Sequence, residues 1–166
     1  MAFNSLKDIY IDQLQDLYSA NRQSMNATGD LAKAATHTEL QKALKDGVTG
    51  IGDGMSVLSE IINEHGAKPT GEFCKGMEGL VKEAKAHVLN AEFADDELRD
   101  AAIIPQYQRM VHYAIAGYGT VVAFANRLGL DGDAAKLQEA LNDTYDGDRR
   151  MTEIATGGVN KHANAA

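Results

Sequence analysis

Four side chains in this 166-residue sequence are the kinds that hold a cation: Asp148, Asn21, His112 and a tyrosine, best placed at Tyr18. A carboxylate, an amide oxygen, an imidazole and a phenol all donate to iron or manganese, and such a set would serve oxidase or peroxide chemistry. A two-metal site inside a helical bundle asks for more. It takes one Glu from each of two helices and a Glu-x-x-His pair from each of the other two. Neither the second nor the fourth long helix of this chain carries Glu-x-x-His, and the adjacent pair Glu64-His65 falls at a helix end. One carboxylate and one amide do not offset the dehydration of two divalent cations. His112 has no acidic neighbour and reads as a boundary or surface residue. Tyr18, Tyr107, Tyr113 and Tyr118 could form a redox relay, but read better as core residues with hydroxyls on partners at the bundle edge. The expectation is therefore no catalytic, cofactor-binding or metal-binding residue, with Asp148, Asn21, His112 and Tyr18 as the alternative ligand set.

Other features exclude further classes of function. Net charge is -8 and the isoelectric point is near 5.0, which disfavours nucleic acid and anionic membrane as partners. The single cysteine, Cys74, excludes a disulfide within the chain and any CxxC motif, and reads as a small buried hydrophobe. No secretory-type apolar run opens the sequence and no stretch has the length of a membrane span, so a reducing cytoplasm is expected. The run Gly47-Val-Thr-Gly50-Ile-Gly52-Asp-Gly54 imitates a phosphate loop. It lacks the preceding strand and the following lysine, and the helical period continues through it. A bent helix, or a close approach by a neighbour, accounts for it better.

The elements that must position these residues are four long amphipathic helices. The first begins near Ser5, with Asp8 at capping-box spacing, and its inner stripe is Leu6, Tyr10, Leu14, Leu17, Asn21, Met25, Thr28 and Leu31. Asn21 is an amide on an apolar face and should bond a neighbour. The second opens at Thr36, with Glu39 completing another box, and buries Leu40, Leu44, Ile51, Met55, Leu58 and Ile62. Residues 64–71 form a loop in which Gly66 caps and Pro69 stops the helix. A shorter amphipathic piece, Glu72 to about Asn90, carries Phe73, Met77, Leu80, Val81, Ala84 and Val88 on one side and suits a crossover. The third long helix, Asp100 to Leu128, turns Ile104, Tyr107, Val111, Ala114, Tyr118, Val121 and Ala125 inward. Pro105 should kink it or delay its start. After a turn at Asp131-Gly-Asp, the fourth runs from Asp133 to Asn160 with Leu137, Leu141, Thr144, Asp148, Met151 and Ile154 inward, and the tail 161–166 should fray.

Leu40–Asp46 and Leu137–Asp143 share five of seven residues at matching places in their helices, which suggests two related helix pairs. Two hairpins joined by a long crossover is the ferritin-like arrangement, so the expected fold is a single all-α, up-down four-helix bundle whose crossover carries a short extra helix.

The stretches DIYIDQLQDLYSANRQ, FCKGMEGLVKEA, RDAAIIPQYQRMVHYAIAGYGT, AAKLQEAL and VNK resemble the YciE/YciF family of bacterial stress-associated, ferritin-like proteins across nearly the whole chain. The resemblance implies a ferritin-like bundle that tends to dimerise. Tyr18, His112, Tyr113, Tyr118 and Asp148 match the family pattern. The family commonly places acids where this chain has Asn21, Thr49 and Gly50, Val111 and Ala114, and Thr144. The resemblance therefore implies a degenerate di-iron site. The expected function is a non-enzymatic, metal-free stress-associated protein, homodimeric or holding an unidentified protein partner, without cofactor. The alternative is a di-metal oxidase or peroxide-handling protein with the atypical ligands above.

Overall fold

The computed structural model describes residues 3–163. Its helices are α1 (Leu6–Ala34), α2 (Thr38–Glu64), α3 (Lys75–Ala84), α4 (Asp96–Arg127), α5 (Asp131–Ile154) and α6 (Asn160–Ala163). π-helical turns at Lys85–Leu89 and Ala155–Val159 continue α3 and α5. α1 with α2, and α4 with α5, form two hairpins; α1 packs on α4, and α2 on α5, closing the square. α2 ends beside the start of α1, where Lys7 meets His65. α4 begins beside the end of α1, where Asp100 meets Thr36. The chain between α2 and α4 therefore travels the length of the bundle, carrying α3 against α1 and α4. This is the expected all-α, up-down bundle with a helical crossover.

The helix ends follow local chemistry. Ser5 and Asp8 form the expected capping box on α1. Gly66 (φ 73°) and Gly129 (φ 69°) take the left-handed conformation that ends α2 and α4. At each end a backbone N–H one residue further on returns to a carbonyl inside the helix, Ala67 to Ile62 at 3.1 Å and Leu130 to Ala125 at 2.9 Å.

Several boundaries differ from the sequence reading. α2 is capped by His37, whose Nδ1 accepts from the Leu40 N–H at 3.4 Å, because the Thr36 hydroxyl donates instead to Asp100 at 2.8 Å. α4 starts at Asp96, upstream of Pro105, and runs through the proline. Pro105 is exposed, so its ring lies on the face where water can serve the carbonyl it orphans. Ile103, Ile104, Gln106 and Tyr107 around it are buried. α5 starts at Asp131, making Asp131-Gly-Asp its first turn, with both acids at the positive end of the helix dipole. Phe73, expected inward, is 48% exposed, while its neighbour Cys74 is fully buried and caps α3. The tail is helical through Ala163; residues 164–166 lie outside the described range.

Candidate functional site

The inner stripes of α1, α2, α4 and α5 do not close on one another at mid-bundle. They enclose a cleft of about 530 Å³ lined by Asn21, Thr28, Gly47, Gly54, Val111, Ala114, Tyr107, Tyr118 and their neighbours. Small side chains create the space. Gly47, Gly50 and Gly54 on α2 face Ala140, Thr144 and Gly147 on α5. The long apolar groups that seal the bundle lie to either side, in one cluster around Leu31, Leu44, Ile103 and Met110 and a second around Leu14, Leu58, Val121 and Leu137.

Two tyrosines of α4 cross the axis toward α2. Tyr118 accepts a hydrogen bond from the Asn21 side-chain amide at 2.8 Å. Its hydroxyl lies against Gly54, in the space a Cβ there would need. Tyr107 does the same at Gly47, where a Cβ would stand 2.7 Å from the phenol oxygen. These glycines let phenols press on a helix backbone, so the glycine-rich run is an unbroken stretch of α2 approached by a neighbour's side chains. Burial pushes the Tyr107 hydroxyl up to about 12, with the negative charge of Asp148 adding to it. Burial also raises Tyr118, against the opposing Asn21 hydrogen bond. Tyr107 makes no hydrogen bond among the described residues, and neither does the Thr28 hydroxyl on the α1 wall, although Thr28 is fully buried.

The mouth of the cleft opens between α2 and α5. Exposed Asp46, Asp53, Glu139, Asp143 and Asp146 surround it, with Lys136 and Arg150 the cations there. Ion pairs bridge the two helices at its ends, Arg150–Asp46 at 2.7 Å and Lys136–Glu60 at 2.8 Å. The repeated heptapeptides thus contribute their last residues, Asp46 and Asp143, to the same opening.

The alternative ligand set does not assemble. Asn21 is on the axis, bonded to Tyr118. Asp148, expected inward, sits on the α4 side of α5, where it accepts from Gln108 at 3.0 Å and pairs with His112 at 3.1 Å. His112 is 63% exposed in that pair. Gly147, one residue earlier, lines the cleft in its place. Tyr18 is half-buried among the apolar groups of the second cluster. Asp148 therefore does not meet Asn21, a tyrosine hydroxyl or an arginine. Among the described residues no group of three or more His, Cys, Asp or Glu could hold a metal ion. The cleft's inner wall offers an amide, hydroxyls and aliphatic groups, a donor set that does not fit a pair of divalent cations.

Two buried polar constellations were missed by sequence reasoning. Asp100 is 3% exposed. It accepts from the Thr36 N–H (2.9 Å), the Thr36 hydroxyl (2.8 Å) and the His37 N–H (2.7 Å), fastening α4 to the start of α2. At the opposite end, Lys7 Nζ lies 2.8 Å from His65 Nδ1, His65 Nε2 2.6 Å from Asp133, and the Tyr10 hydroxyl donates to Asp133 at 2.9 Å. With the Lys7 ammonium donating to Nδ1, Nε2 carries the proton and donates to the carboxylate. That relay joins the ends of α1, α2 and α5. Capping acids at helix starts were the only sequence signal for either constellation. On the flank, Tyr113 reaches Cys74 Sγ (2.9 Å) and donates to Asp16 (3.2 Å); burial pushes the thiol up.

Residues 5–164 match the family model described as a domain of unknown function, DUF892. Protein YciF of Escherichia coli K12 is 32% identical over 164 residues, covering 98% of each chain. The crystal structure of the E. coli stress protein YciF superposes with a TM-score of 0.88 at 31% identity, over 96% of this chain and 99% of that one. YcfI of Rhodopseudomonas palustris, described as a candidate structural protein, superposes with a TM-score of 0.83 at 30% identity, over 90% of this chain and 94% of that one.

Proposed function

This chain belongs to the DUF892 family, and from that premise we propose that it is a metal-free, non-enzymatic, ferritin-like protein of the stress response, acting as a structural or interaction protein. The observation that carries the proposal is the composition of the bundle axis. Asn21, Val111, Ala114 and Gly54 stand around the central cleft, and they bring no carboxylate to it. The Asp148–His112 pair lies on the outer face between α4 and α5, where it acts as a solvated inter-helix contact worth about 1 kcal/mol or less. The relatives' descriptions, a stress protein and a candidate structural protein, agree with a role in which the bundle itself is the product.

The same reading includes a homodimer in the cytoplasm, without nucleic acid. No helix of the described residues is long and apolar enough to cross a membrane. The acidic net charge of -8 disfavours a polyanion as partner. The rival reading, a di-metal oxidase or peroxide-handling protein, would require Asn21 on the axis and Tyr18 in the second apolar cluster to join the Asp148–His112 pair on the outer face. Loading with ferrous iron and with manganese, followed by elemental analysis after desalting, tests the proposal: sub-stoichiometric retention is expected, and a stoichiometric metal pair on each chain would overturn it.

A further inference from the structure

We propose that the axial cleft is a binding site for an uncharged small organic molecule with an apolar, aromatic or aliphatic body and a hydrogen-bonding atom at its inner end. This goes beyond the metal-free reading and concerns a different class of ligand.

The volume, about 530 Å³, falls within the range of small-molecule sites, which are mostly apolar with a few convergent polar groups. The walls have that composition. Met110, Val111 and Ala114 supply apolar surface from α4, and the glycines of α2 supply width. The polar groups on the inner walls are neutral. Thr28 is fully buried with its hydroxyl unpartnered, and Tyr107 is 4% exposed with no hydrogen bond among the described residues. A buried hydroxyl without a partner costs about 1–3 kcal/mol. Thr28 on the cleft wall carries that cost, and a ligand atom that bonds its hydroxyl removes it. The Tyr118 hydroxyl accepts from Asn21 and keeps its own proton to donate.

Charge narrows the class. A ligand anion would pass Asp46, Asp53, Glu139, Asp143 and Asp146, against Lys136 and Arg150. The two cations are already engaged by Glu60 and Asp46. A ligand cation would have to leave its charge among neutral hydroxyls, where burial without a counter-charge is costly. An uncharged molecule meets neither barrier.

A matched pair of dyes tests the proposal on the intact protein: uncharged N-phenylnaphthylamine and its sulfonated analogue anilinonaphthalene sulfonate. The uncharged dye should show saturable fluorescence enhancement with one site per chain, and the sulfonate should bind at least about tenfold more weakly at low salt. Gly50→Leu adds a side chain at the mouth, where a Cβ has open space, and Ala114→Leu fills the inner wall. Each should reduce binding of the uncharged dye by about tenfold or more with helicity unchanged. Tyr107→Phe should weaken it several-fold. Absence of saturable binding, undiminished binding in both folded leucine variants, or equal affinity for the two dyes would overturn the proposal. Metal content is measured on the same samples, so retained metal would count against the preceding reading and absent dye binding against this one alone.

Discussion

Asn21 on α1 and Tyr118 on α4 meet across the bundle axis, amide to phenol at 2.8 Å. Their neighbours on the axis are uncharged as well. Gly54 receives the phenol oxygen against its backbone, and Val111 and Ala114 complete an aliphatic wall. The axis is organised around neutral hydrogen bonds and open volume.

The glycines of α2 should separate into two kinds. At Gly54 a methyl group would collide with the Tyr118 hydroxyl, and at Gly50 it would meet nothing within 4 Å. Gly50→Ala should stabilise the protein by about 0.5–1 kcal/mol by restricting the unfolded chain. Gly54→Ala should destabilise it by about 1–3 kcal/mol through overpacking. Urea denaturation midpoints of the two variants measure both. Equal and stabilising shifts would show that the tyrosine does not rest on the helix backbone.

Removing the Asp100 carboxylate should be among the costliest single changes on the polar side of the molecule. Asp100→Ala strands two backbone N–H groups and a hydroxyl at the α1–α2 turn. The expected loss is about 2–4 kcal/mol, with Asp100→Asn between the variant and the parent. A loss below about 0.5 kcal/mol, the scale of surface substitutions, would mean the turn holds its shape without the α4 contact.

The tyrosines predict the alkaline limit. Tyr10, Tyr107, Tyr113 and Tyr118 are all raised above their ordinary value of 10, burial being the largest cause in each. A group whose folded pKa is raised favours the native state below the unfolded value, and that contribution is lost as pH rises toward the folded one. Stability should therefore fall from pH 10 upward, with Tyr107 contributing its share between 10 and about 12. Ultraviolet titration should show phenolate absorbance of the native protein lagging that of the urea-unfolded chain, then rising together with the loss of helicity. Coincident curves would contradict the burial of these phenols.

Much of this architecture was legible in the residues. Ser5 with Asp8, and Gly66 and Gly129, mark helix ends because capping is a local interaction between neighbours in sequence. Asn21 stood out because an amide on an apolar stripe must find a partner. What failed was non-local. Asp100 looks like one more acid at a helix start, yet it serves the beginning of a different helix. Gly47 and Gly54 cannot be told from Gly50 until the tyrosines facing them are known. Asp148 and Gly147 differ by one step, about 100° around the helix, and the stripe on α5 was too sparse in large apolar residues to fix its phase.

The outer pair should prove dispensable. His112 and Asp148 sit 3.1 Å apart with the imidazole mostly in water. Asp148→Asn should change stability by less than about 1 kcal/mol and leave metal retention at the parent's level. A variant that lost bound iron or manganese would identify Asp148 as a ligand.

The most direct measurement is anomalous scattering from crystals of the protein grown with excess manganese or iron. No peak is expected in the space bounded by Asn21, Val111 and Tyr118. A pair of strong peaks there, ligated by this chain's own side chains, would contradict the metal-free reading.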